Sequence, residues 1–360
     1  MESLSESMTI IFAILLFSIL IFVHELGHFV AAKLSGVQVN EFSMFMGPAI
    51  FKWQRGETQY SIRCIPIGGY CAMEGEDGDS ENPRAFGAAA WWKRLIILVA
   101  GAAMNFIAGL LILVAIFAPK ENFSVPEVAY IEEGCLIAGD NGIQVGDRIL
   151  SIDGEKIYVH SDFSMLTDLY ESEVHDLEIE RNGQTILLDD FRMVKKEFPA
   201  ENGGTELRYG ITFDTKPATF GMKLERAWLT ALDYVRSVRL SLGMLLSGKA
   251  GFSDMSGPVG IVQQMSQTAA ESENAYYAFM NLLSFGAYIA VNLAVMNLLP
   301  IPALDGGRVV GLLLTTAIEK ITRKKIDPKY EGYIHGIGMI LLLALMAIIM
   351  FKDIFVIFKG

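Results

Sequence analysis

Apolar residues gather in four long runs along this chain. Met8–Leu34, Leu95–Ala118, Tyr276–Leu299 and Ile334–Phe358 are each long enough to cross a bilayer as a helix. Between the first two runs the pattern changes. Val37–Met73 is strand-like: Val39–Phe45 alternates in part, and Ala49–Trp53 and Gln59–Ile65 flank Gln54-Arg55-Gly56-Glu57-Thr58, which reads as a hairpin turn. Pro66-Ile67-Gly68-Gly69-Tyr70 then breaks the strand pattern, and residues 74–88 form a polar, acidic loop. Residues 122–215 read as a small α/β domain. It has a strand at Pro126–Ile131, a turn–strand–turn over 142–154 and a helix over 160–170. A hairpin follows, with Asp176–Glu180 and Thr185–Asp189 around Arg181-Asn182-Gly183-Gln184. From Gly221 to Ser247, Trp228, Leu232, Val235, Val238, Leu242 and Leu245 recur at three- and four-residue steps opposite Arg226, Asp233, Arg236 and Arg239. That helix either lies on the outer membrane surface or packs on a domain. Ser256–Gly260 reads as a loop before the third span.

Composition fits this reading. The 360 residues are 52% hydrophobic with a mean hydropathy of +0.38, which points to a polytopic membrane protein carrying a soluble part. Residues 1–7 carry Glu2 and Glu6 and no basic residue, so the first span is not expected to be a cleavable signal peptide. Seven Lys and Arg residues lie in 33–94 and six in 300–333, so both connections are predicted to be cytosolic. The N-terminus, the middle region and the C-terminus are then outside. Residues 119–278 hold 26 acidic and 14 basic residues, which accounts for the whole net charge of −12 and argues against nucleic acid as a partner. The cysteines Cys64, Cys71 and Cys135 make no CxxC pair, so no disulfide framework is expected.

The first span carries His24-Glu25-Leu26-Gly27-His28. Imidazoles and carboxylates are costly at membrane depth, so a cluster of them there marks a functional site. On a helix, residues i and i+4 share a face, so His24 and His28 can grip one zinc ion. Glu25 is placed to take a proton from a water at that metal. Two histidines need a third protein ligand. The only acid between Asn274 and Glu319 is Asp305, in Asn297-Leu298-Leu299-Pro300-Ile301-Pro302-Ala303-Leu304-Asp305-Gly306-Gly307. Its prolines stop the third helix, and backbone freed at membrane depth must be buried in protein or line a cavity. On residue chemistry alone Asp305 is either a metal ligand or a cap for a helix starting near Arg308. In the second span Gly101, Asn105 and Gly109 serve either close helix packing or the site.

Two resemblances sharpen these expectations. Gly142-Ile143-Gln144-Val145-Gly146-Asp147-Arg148-Ile149-Leu150-Ser151-Ile152-Asp153-Gly154 closely resembles the signature of bacterial PDZ domains. The His-Glu-Leu-Gly-His motif, together with the Asn-x-x-Pro-x-Pro-x-Leu-Asp-Gly-Gly motif, closely resembles the site-2 protease family of intramembrane zinc metalloproteases. A single PDZ-like domain is similar to its shorter bacterial branch. The resemblance implies a fold of four transmembrane helices with a membrane-associated β-hairpin (37–73) and one extracytoplasmic PDZ-like α/β domain. The expected segments are 1–119, 120–216, 217–275 and 276–360. It also implies zinc held by His24, His28 and Asp305, with Glu25 as general base. Asn297, Pro300 and Pro302 would hold substrate, and Gly68 and Gly69 of the hairpin are further substrate-contact candidates.

The implied setting is the bacterial cytoplasmic membrane. The implied partners are the lipid bilayer, single-span membrane substrates such as anti-sigma factors and signal-peptide remnants, and an upstream protease that makes the first cut. Other readings stay open at this stage. A prenyl-protein type metalloprotease would use a distant Glu as third ligand. A zinc transporter would need more intramembrane acids and histidines than this chain has. A PDZ-bearing scaffold without activity would need neither Glu25 nor Asp305.

Overall fold

The computed structural model describes residues 6–359 apart from 77, 79, 170–171, 200–203, 252–253 and 324–328. Asp77 and Asp79 of the acidic loop, and Lys324 and Lys325 of the basic connection, lie outside the described residues. The chain divides into two compact units, 117–233 and the remainder.

Among the described residues, the larger unit has four helices long and apolar enough to cross a membrane: α1 (Glu6–Ser35), α2 (Trp91–Phe117), α6 (Ala275–Asn297) and α8 (Lys329–Lys359). Glycines set their spacing. A Cβ at Gly27 would meet the Ala100 carbonyl carbon at 2.8 Å, and one at Gly109 would meet Val291 Cγ2 at 2.8 Å. These absences of side chain let α1 approach α2, and α2 approach α6.

After α1 come β1 (Val39–Arg55) and β2 (Thr58–Met73). Both strands bend. Phe45 (φ 70°), Gly47 (φ 84°) and Gly68 (φ 82°) adopt left-handed backbone. Glu41–Met44 consequently lies between Gly69–Ala72 on one side and Gln59–Ile62 on the other, while Ala49–Arg55 pairs with Thr58–Arg63. Two strands thus make a sheet of four segments. The expected break at Pro66–Tyr70 is corrected: β2 runs through it, with its bend at Gly68. Ala31, Ala32, Val37, Val39, Phe42, Cys71, Met73 and Ile97 form one core that seats this sheet on α1 and α2. Glu41 ties the segments together: its carboxylate accepts from Ser61 Oγ and Arg63 Nη2, both at 2.7 Å. Burial works against its charge, but the hydrogen bonds from Ser61, Arg63 and Tyr70 outweigh it and hold its pKa at about 2.

The larger unit also holds the second half of α4 (Phe220–Leu246), together with α5 (Pro258–Ala270) and α7 (Asp305–Thr322). The loop expected at Ser256–Gly260 is corrected in part, because α5 begins at Pro258. Met265 and Ala269 of α5 bury with Ala13, Leu16 and Leu20 of α1 and Leu282 and Ile289 of α6. The buried Asp353 carboxylate of α8 accepts from the Gly257 and Gly260 amides at 2.9 and 3.0 Å, satisfying orphan donors at the start of α5.

The smaller unit carries β3 (Asn122–Ile131), β4 (Arg148–Ile152), β5 (Glu155–Lys156), α3 (Asp162–Leu169), β6 (Val174–Arg181), β7 (Gln184–Arg192), β8 (Lys196–Pro199), β9 (Thr205–Arg208) and β10 (Ile211–Pro217). Its main sheet has the order β10-β3-β4-β6-β7, with β5 paired to β4. Ile149, Ile152, Phe163, Leu166, Leu177 and Ile179 are among its fully buried side chains. Asn182 and Gly183 take φ of 53° and 78°, as the tight turn between β6 and β7 requires. Asp147 is buried; it accepts from the Gln144 amide and pairs with Arg181, both at 2.7 Å.

Candidate metal centre

His24 and His28 sit one turn apart on α1, with ring centroids 4.8 Å apart. Asp305 reaches them from the start of α7. Its Oδ2 lies 3.1 Å from His24 Nε2 and 3.3 Å from His28 Nε2, and the two Nε2 atoms are 3.1 Å apart. The helix-cap alternative does not hold. α7 begins at Asp305 itself, its N-cap is Leu304, and no side chain caps it.

The local sequence explains how Asp305 is delivered. The turn after α6 folds back over the first turn of α7. A Cβ on Gly306 would collide with the Leu298 and Leu299 carbonyls, and one on Gly307 would lie 2.8 Å from the Ile301 carbonyl carbon. Only glycine allows that approach, so the two glycines after Asp305 are a steric requirement.

Hydrogen bonds orient the imidazoles. His28 Nδ1 lies 2.8 Å from the Ile97 carbonyl, so Nδ1 carries the proton and Nε2 presents a lone pair. Asn105 and Asn297 each place an amide 3.4 Å from His24 Nδ1. An amide's O and N are told apart only by their partners. Asn105 Oδ1 is buried without a partner; turning the amide over gives it the His24 Nδ1 proton and leaves His24 Nε2 as a second lone pair. Asp305 Oδ2 is likewise buried without a hydrogen-bond donor. Three lone-pair donors thus face one another with no proton between them, and a cation resolves that repulsion.

The dimensions fit zinc. Ligand bonds of about 2.0–2.1 Å in a tetrahedron put donor atoms about 3.3 Å apart, and two imidazoles with one carboxylate leave the fourth position open. Among the described residues, this trio is the grouping of metal-ligating side chains close enough to hold an ion. The three cysteines are free.

Glu25 follows His24 on α1, within electrostatic reach of His24, His28 and Asp305. The sheet comes close beside it. Ser18 Oγ donates to the Pro66 carbonyl at 3.0 Å, and a Cβ at Gly69 would stand 3.5 Å from Glu25 Cγ. Gly69 is therefore at the site. Gly68 forms the bend, against Met46. Asn297 is at His24; Pro302 is half-buried in the turn before Asp305, and Pro300 is exposed in the same turn.

Gly101 is one of three residues of α2, with Asn105 and Gly109, whose role the sequence leaves undecided. A Cβ there would overlap His28 Nε2 and lie 2.7 Å from His24 Cε1. Its spacing in α2 suited helix packing equally well, so periodicity alone could not decide. A second tie crosses the site: Arg308 of α7 pairs with Glu76 from the loop after β2.

Comparison with known proteins agrees with this geometry. The description "Peptidase family M50" matches residues 12–345. A Clostridium perfringens protein provisionally named as a zinc metalloprotease is 36% identical over 349 residues, covering 96% of this chain and 98% of its own. The regulator of sigma-W protease RasP of Bacillus subtilis is 28% identical over 429 aligned positions, covering 96% and 98%. The zinc metalloprotease RasP of Geobacillus kaustophilus is 26% identical, covering 96% and 97%. The chain belongs to peptidase family M50, the site-2 protease family, and is a membrane metalloprotease of that class.

Proposed function

We propose that the chain is a zinc endopeptidase that cuts inside the membrane segments of other proteins. The observation that carries this reading is the convergence of Asp305 with His24 and His28 on one point, beside Glu25, where the two histidines and Glu25 belong to a helix apolar enough to span. His24, His28 and Asp305 hold the metal. A bound zinc ion acts as a Lewis acid, lowering the pKa of water toward neutrality and polarising the scissile carbonyl. Glu25 is the general base: it takes the proton of the attacking water and returns it to the departing amine. His28 is fixed by the Ile97 carbonyl and His24 by Asn105 and Asn297, so the ligands need no reorganisation.

A transmembrane helix satisfies its own backbone, so it must unwind before a peptide group can reach the site. The β2 segment around Gly68 and Gly69 runs beside Glu25 and offers strand backbone to the unwound stretch. Asn297, Pro300 and Pro302 help shape the site and hold substrate. Substrates are single-span proteins already trimmed outside, such as anti-sigma factors and signal-peptide remnants, after a first cut by another protease. The name of the Bacillus subtilis relative, a regulator of sigma-W protease, supports that class. The segment 120–216 is a PDZ-like domain, supported by its signature and by the structural role of Asp147 within it; it acts as a size filter or docking element. The chain lies in the bacterial cytoplasmic membrane, with its N-terminus, the PDZ-like domain and its C-terminus outside, as the basic connections argue.

Depth gives the test. His24 lies sixteen residues beyond Met8, about 24 Å along a helix, in a hydrocarbon layer about 30 Å thick. Cleavage falls in the cytosolic half of the substrate's segment, and the cytosolic product is released inward. Mass spectrometry of products from a reporter substrate locates the cut. A cut in the outer half, or in a loop outside the membrane, overturns both depth and orientation.

A further inference from the structure

The fourth span is almost wholly exposed along its apolar window, yet one short stretch of it meets the turn that precedes Asp305. The turn that delivers Asp305 contains Ala303, whose φ of 82° is one that residues with a Cβ rarely adopt. Within this turn the Leu304 amide donates to the Ile301 carbonyl, and the Gly307 amide donates to the Leu304 carbonyl. The Ala303 amide instead donates to His335 Nδ1 of α8, at 3.1 Å. One turn further along α8 is Gly338, where a Cβ would press into Pro302, 2.8 Å from its carbonyl carbon. His335 and Gly338 are i and i+3 on α8, so they share one face. Pro302 sits against the backbone at Gly338 while His335 takes the neighbouring amide.

We propose that His335 is a positioning residue for the metal centre: by accepting the Ala303 amide, it holds the left-handed turn that aims Asp305 at His24 and His28. Asp305 begins α7 two residues after Ala303, so a change in the Ala303 backbone rotates the carboxylate out of the ligand triangle. Gly338 supplies the space and His335 supplies the hydrogen bond. Substrate touches neither residue; both act through Pro302–Asp305. The proposal rests on Asp305 being a zinc ligand.

The test compares His335→Ala, His335→Asn and His335→Gln in the full-length protein in detergent. Each is loaded with zinc, and the rate of zinc transfer to a chelator is measured alongside kcat and KM on a reporter substrate. Removing the support of a metal ligand typically costs ten- to a hundredfold in affinity or activity. His335→Ala is expected to release zinc about 10–100-fold faster and to lose kcat with KM nearly unchanged. Asn places its Oδ1 where the His Nδ1 was, so His335→Asn stays within about threefold of wild type. Gln carries its acceptor one bond further out and behaves like Ala. If His335→Ala does not fold, the Asn–Gln pair carries the comparison. Wild-type release rates in the Ala or Gln variants overturn the proposal, as does an Asn variant as leaky as the others. Asp305→Ala in the same assay separates the two layers. Zinc retained there sinks the ligand assignment; zinc lost there but retained in His335→Ala sinks only the role of His335.

Discussion

Glu25→Gln leaves zinc in place and removes cleavage. The amide is nearly the same size and shape as the carboxylate, so the neighbouring Gly69 backbone and the histidine triangle are undisturbed. It has no basic oxygen to accept the water proton. General-base catalysis contributes typically about 10²–10⁴-fold, so kcat is expected to fall by at least that range. Metal analysis and a cleavage assay on one purified sample check both halves. Turnover like wild type, with zinc present, would remove Glu25 from the chemistry and turn the search toward another acid near the site.

Gly101→Ala is expected to be nearly as damaging, by a different route. One added methyl overlaps the ligand nitrogen of His28 and lies 2.7 Å from His24 Cε1. His28 cannot move freely, because it is buried and its other nitrogen is fixed to the Ile97 carbonyl. Either α2 shifts away from α1 or His28 turns out of the triangle. The first breaks the close approach of the two helices at Gly27, where a Cβ would come 2.8 Å from the Ala100 carbonyl carbon. Zinc affinity and activity both fall, by about 10–100-fold on the scale for disturbed metal sites. Zinc titration against a competing chelator reads the first and a cleavage assay the second. A variant that binds zinc as wild type does would mean that α2 yields there at little cost. Gly109→Ala provides the comparison: its new methyl meets Val291 and the Ala287 carbonyl, with no ligand nitrogen nearby, so zinc affinity changes far less.

Much of this site is legible in the sequence because it uses local periodicity. His24 and His28 share a face by helix geometry alone, and the apolar run around them fixes their setting. The spans were legible for the same reason, and so was the turn at Asn182-Gly183, where φ is positive at both residues. The missed features depend on contacts between distant segments. α5 is only thirteen residues long and carries Gln263, Gln264 and Gln267; besides the neighbouring α6 it is held by α1 and the Asp353 carboxylate, both far from it in sequence. Pro66 looked like a strand breaker, yet β2 continues through it because its bend falls at Gly68. In the sequence Asp305 also reads as a helix cap; in the structure α7 starts at Asp305 and its carboxylate turns to the histidines. His335 carried no signal, because a lone histidine in an apolar run has no spacing to read.

In the proposed site, His24 and His28 of the first span and Asp305 at the start of α7 hold one zinc ion. Metal analysis of purified Asp305→Ala beside wild type tests it most directly. Close to one zinc per chain is expected in wild type and a large loss in the variant, since two histidines make an incomplete site. Equal zinc in both proteins, with cleavage intact, would contradict it.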